Sequence, residues 1–76
     1  MTATEFMLRG EHITLDALLK ATGLAPSGGA AKAMIAEGRV QVDGQAESRK
    51  TCKVRAGQRV SVAGVPTSIE VRAPGD

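Results

Sequence analysis

Aromatic side chains are almost absent: Phe6 stands alone, with no Trp and no Tyr. A domain that reads single-stranded nucleic acid by stacking its bases needs several such rings on one surface, so that mode of recognition is excluded. Cysteine is equally scarce. Cys52 has no partner for an intramolecular disulfide, and a lone thiol suits a reducing cytosol, so the cytoplasm is the expected location. His12, the single histidine, has no Cys or His at metal-ligand spacing and reads as a surface residue near a helix start. No apolar run reaches the length of a signal-peptide core or a membrane span, so neither export nor a membrane role is expected.

The chain of 76 residues accommodates one domain, spanning 1–76, and a monomer is expected. So short a chain has too little wall for a drug-sized pocket of ~300–1,000 Å³. The carboxylates Asp16, Glu37, Asp43 and Glu47 each have a local structural use, and no pair of them suggests acid–base work. Cys52 lies in a stretch of period two, where it reads as a small core residue rather than a nucleophile. No enzyme, cofactor, metal centre or small-molecule substrate is expected.

What is present is a change of hydrophobic period halfway along. Residues 1–11 read as an N-terminal extension ending in a short strand through Phe6 and Leu8. Thr14 as N-cap, Leu15, Leu18 and Leu19 at helical spacing, and Gly23 as the stop predict a helix over 14–22, with Asp16 in its positive first turn and four residues from Lys20. Ser27 caps a second helix whose stripe is Ala31, Met34 and Ile35 and which ends at Gly38. A linker of a few residues forces the pair into a corner.

Beyond Gly38 the apolar residues alternate. Val40 and Val42 form a strand, Asp43-Gly44 a tight turn, and further strands fall near 51–55, 59–62 and 67–72, with Pro66 at a strand end and 73–76 a flexible tail. The fold class is α+β: two short helices in a helix–corner–helix, then a β-hairpin and a small, mostly antiparallel sheet.

The net charge of +2 hides the distribution of the charges. Between Glu47 and Glu70 there is no acidic residue, and that interval holds Arg49, Lys50, Lys53, Arg55 and Arg59, half of the ten basic residues. An anionic partner is one reading, and a strand surface kept soluble by its cations is the other. Ser27-Gly28-Gly29 opens a helix, where free backbone N–H groups suit a phosphate oxygen, although two glycines equally suit a flexible entry loop. If the hairpin folds back beside the second helix, Lys32, Arg39, Arg49, Lys50 and Lys53 line one groove; otherwise they point to different sides. Without aromatics, recognition would rest on charge and shape, as for folded or double-stranded RNA.

The ordered set Leu15-Asp16-Ala17-Leu18-Leu19, Ser27, Ala31-Lys32, Ile35, Gly38-Arg39-Val40 and Val42-Asp43-Gly44 resembles the RNA-binding domain of ribosomal small-subunit protein four. The stretch Glu47-Ser48-Arg49-Lys50-Thr51-Cys52-Lys53-Val54, with Ala56-Gly57-Gln58 and Val60, is similar to the stand-alone bacterial YbcJ-like branch of that family, and the likeness covers residues 13–71. It implies a non-enzymatic, translation- or ribosome-associated module with structured RNA, ribosomal or transfer, lying across the helices and the loop after the hairpin. It also implies contacts, mainly to phosphates, from Ser27, Lys32, Arg39, Arg49, Lys50 and Lys53. Two positions depart from the family pattern: Gly28 stands where many members carry arginine, and Asp43 where asparagine is common. The alternative is a protein-interaction adaptor with a basic face, which would lack the steep salt dependence of RNA binding.

Overall fold

The structure is a computed structural model and describes residues 2–49 and 51–73. Lys50 and the tail beyond Ala73 lie outside the described residues. The elements run β1 (Thr2–Met7), β2 (Ile13–Thr14), α1 (Leu15–Ala21), α2 (Gly28–Ala36), β3 (Val40–Val42), β4 (Gln45–Ala46), β5 (Lys53–Val54), β6 (Arg59–Val62) and β7 (Thr67–Arg72).

The α+β class holds, with both helices before the hairpin. Five strands form one sheet in the order β1-β7-β6-β3-β4, and β2 and β5 pair separately. Every pairing is antiparallel except β1 with β7, which is parallel. The strand expected through Phe6 and Leu8 is therefore longer, six residues from Thr2, and forms an edge of the main sheet.

Period two divides the sheet into two faces. Val40, Val60, Val62, Ile69 and Val71 are buried, and the helices close over them with Leu15, Leu18, Leu19, Ala31 and Ile35. The opposite face is polar: Arg59 pairs across to Glu70, which pairs to Glu5. Two carboxylates directly opposite each other repel. Here the arginines separate them, Arg59 meeting Glu70, and Arg72 bridging Glu70 at 3.2 Å and Glu5 at 3.4 Å.

Those two guanidiniums, Arg59 first, hold the Glu70 carboxyl below its ordinary value of 4.5. A depressed folded-state pKa contributes stability that is present above the unfolded value and lost as pH falls through the folded one. Acid titration of the melting temperature should therefore be flatter in Glu70→Gln than in the parent below about pH 4.5. Superimposable acid limbs would show that the network contributes nothing.

The helix ends explain how the chain turns toward the site. Ser27 Oγ accepts from Ala30 N–H at 3.2 Å, the cap expected for α2. At its other end Gly38 has φ +75°, Gly38 N–H donates to Ile35 O, and Arg39 N–H donates to Met34 O. This paired closure leaves Arg39 as the first residue out of the helix. Thr14 stands at the N-cap of α1, but its side chain makes no capping bond. Leu15 N–H instead donates to Cys52 O at 2.9 Å, and Thr14 pairs with Lys53. Strand pairing from a distant segment has taken over the job of a local cap.

The hairpin turn has φ +52° at Asp43 and +83° at Gly44, two successive left-handed residues, which matches the twist of a two-residue hairpin. The aspartate does more than tolerate that geometry. Its Oδ1 accepts from Arg59 N–H at 3.0 Å and its Oδ2 from Gln58 Nε2 at 3.2 Å, tying the hairpin to β6.

Candidate nucleic-acid interface

The hairpin carries the chain back to the start of β3. Val42 pairs with Gln45 and Gln41 with Ala46, and Glu47 N–H then donates to Val40 O at 2.9 Å. Glu47 thus sits beside Val40, at the end of the sheet where Arg39 leaves α2. Farther along, Cys52 N–H donates to Arg49 O at 3.1 Å. Lys53 follows in β5, docked on Thr14 ahead of α1.

Arg39, Arg49 and Lys53 therefore fall on segments hydrogen-bonded in series, between the exit of α2 and the entrance of α1. All three are exposed. Ser27 and Lys32, also exposed, lie on α2 at or near its N-terminus. A nine-residue helix rises about 13 Å, so a ligand touching both Ser27 and Arg39 must extend over at least that distance. Ser27 Oγ already accepts from Ala30 N–H, which leaves its hydroxyl hydrogen for a ligand oxygen.

Arg59 also lies in the acid-free interval but serves a different purpose. Its guanidinium is committed to Glu70 on the polar face, and its backbone to Asp43. An interval free of acids along the chain is not free of acids in space.

Two acidic partners at the site escaped the reading of the sequence. Glu37 pairs with Arg39 at 3.6 Å, and Glu47 Oε2 accepts from Arg49 N–H at 3.1 Å and from Arg49 Nε at 3.4 Å. The signal available was the same in both cases, a glutamate two residues before an arginine. The Arg49 backbone N–H, foremost, holds the Glu47 carboxyl below its ordinary value, with help from the Cys52 thiol and the Arg49 guanidinium.

Cys52 is half-buried against the core rather than enclosed in it. Partial burial first, and the neighbouring Glu47 carboxylate second, push its pKa up. The thiolate is the reacting form, so Cys52 should be alkylated more slowly in the native protein at neutral pH than in the denatured chain. Mass spectrometry of a timed iodoacetamide reaction reads this directly; faster labelling of the native protein would contradict the packing described.

Among the described residues no group of His, Cys, Asp or Glu gathers as a metal site, and no helix is long and apolar enough to cross a membrane. A helix corner on a small sheet, with cations on the segments joining the two, defines a compact binding domain. The chain belongs to the S4 domain family, whose model matches residues 6–71. It is similar to YbcJ of Escherichia coli strain K12 and YbcJ of Shigella flexneri, each 52% identical over 62 residues, covering 82% of this chain and 89% of the relative. It is also similar to the solution structure of E. coli YbcJ, with a TM-score of 0.65 and 45% identity, covering 96% of this chain and 89% of the other. That structure is described as revealing a motif, called alfal, involved in RNA-binding.

Proposed function

We propose that this domain binds structured RNA, ribosomal or transfer RNA, by its phosphates and without catalysis, as a cytoplasmic monomer. The observation that carries the reading is the serial placement of Arg39, Arg49 and Lys53 between the two helices, with Ser27 and Lys32 along α2. Lys50 belongs to the same proposed set by its place in the chain. The YbcJ relatives support the RNA class, and the lack of aromatic side chains other than Phe6 favours a folded over a stacked single-stranded target.

The test is a competition between transfer RNA, ribosomal RNA hairpins and an unstructured oligonucleotide of equal length, measured over a range of salt. Structured RNA should win at every salt concentration, with affinity falling linearly on logarithmic axes. Equal affinity for the unstructured oligonucleotide would remove the structured-RNA reading. No measurable RNA binding would remove the function altogether.

A further inference from the structure

The acidic residue at the centre of the cationic segment is the feature that phosphate binding alone does not explain. A carboxylate there weakens the attraction of an anion, yet the Glu47 side chain is less exposed than that of Arg49, its partner. Its side chain is only 20% exposed, against 78% for Arg49. One oxygen, Oε2, accepts from both the backbone N–H and the side-chain Nε of Arg49. The loop is pinned at both ends as well, by Glu47 N–H to Val40 O and by Leu15 N–H to Cys52 O.

Arginine has five N–H donors in a rigid fork. Glu47 engages Nε at 3.4 Å, and the Arg49 side chain as a whole is largely exposed. Holding a long side chain in one orientation before a ligand arrives removes part of the ordering penalty of binding.

We propose that Glu47 is the positioning residue of this interface: its carboxylate holds the Arg49 backbone and guanidinium in the orientation that meets a phosphate. This role rests on the RNA-binding reading above. Glu47 gives up some electrostatic attraction and gains order in return.

Glu47→Gln and Glu47→Ala remove the same charge, but only glutamine keeps an acceptor oxygen for Arg49, so comparing the two isolates the positioning effect. Affinity for a double-stranded RNA hairpin should be about twofold to tenfold weaker in Glu47→Ala than in Glu47→Gln, the range for freeing one flexible side chain. The difference should vanish when Arg49 is also alanine. In RNA-free protein, the Arg49 Nε–H signal in nitrogen-15 spectra should be ordered in the parent and in Glu47→Gln and averaged in Glu47→Ala. Glu47→Val, a strand former at a strand end, takes the place of the alanine variant if that one fails to fold.

Equal affinities for glutamine and alanine variants of a parent that binds RNA would overturn the positioning role alone. A difference that persists without Arg49, or an Arg49 Nε–H signal indifferent to Glu47, would overturn it equally. Failure of the parent to bind the hairpin would overturn the function and this role together.

Discussion

The pair Arg49→Ala, Lys53→Ala should lower the slope of log affinity against log salt by about 1.4 to 1.8 for a structured RNA. Each cation that meets a phosphate releases condensed counterions and contributes about 0.7 to 0.9 to that slope. Over the decade between about tenth-molar and molar salt, this amounts to a loss on the order of thirtyfold at the lower concentration. Removing Arg49 also leaves Glu47 without its counter-charge, which adds repulsion in the same direction. The loss should be similar for different RNA sequences, because phosphates carry no sequence information. The control is Arg9→Ala, Lys20→Ala, which takes the same net charge from two exposed positions outside the proposed set. Arg72 is unsuitable as a control, since it bridges Glu5 and Glu70 and its loss would disturb the sheet. Affinities of parent and both variants at several salt concentrations decide the matter. Equal losses from the two pairs would mean that net charge alone matters and that the site is misplaced.

Ile35→Ala should destabilise the domain by about 2–5 kcal/mol. Ile35 is fully buried where α2 meets the sheet, in one cluster with Leu18, Leu19, Val40 and Val60. Truncation removes the transfer free energy of the lost carbons and leaves a cavity that a close-packed core only partly refills. Small domains have a total stability of roughly 5–15 kcal/mol, so this one side chain carries a large share of it. A change of that size corresponds to a melting temperature lower by at least about 8 °C. Thermal and urea melts of the parent and Ile35→Ala supply the comparison, and coincident curves would show that the residue does not sit in the core as described. Because α2 carries Ser27 and Lys32 and releases Arg39, RNA binding by this variant should be lost at the lower temperature where it unfolds.

The elements that were legible in the sequence are those set by neighbours along the chain. The stripes of α1 and α2, the Ser27 cap, the stop at Gly38 and the Asp43-Gly44 hairpin each follow from residues within a few positions of one another. What escaped depends on segments far apart. Thr14 looks like a helix cap until Lys53, which pairs with it, is brought alongside. Residues 1–11 look like an extension because nothing near them signals the partner strand at Thr67–Arg72. Site residues divide the same way. The proposed cations rest on the charge pattern, and the family resemblance selected among them. The commitment of Arg59 to Glu70, and the seat of Glu47 between Arg49 and Cys52, required the sheet and loop to be assembled first.

The parallel pairing of β1 with β7 also sets the order in which the molecule can form. Thr2 pairs with Thr67 and Met7 with Arg72, a sequence separation of 65 residues in each case. Contacts that far apart close the largest loop in the chain, and loop closure must precede the contacts that reward it. The helix corner and the hairpin need no such closure. During synthesis both can take shape while β1 still lacks a neighbour, because β7 is made after both of them. β1, ahead of every other described element in the chain, is thus among the last of them to be bound, and until then it has an unpaired edge on each side, open to any other strand the cell presents.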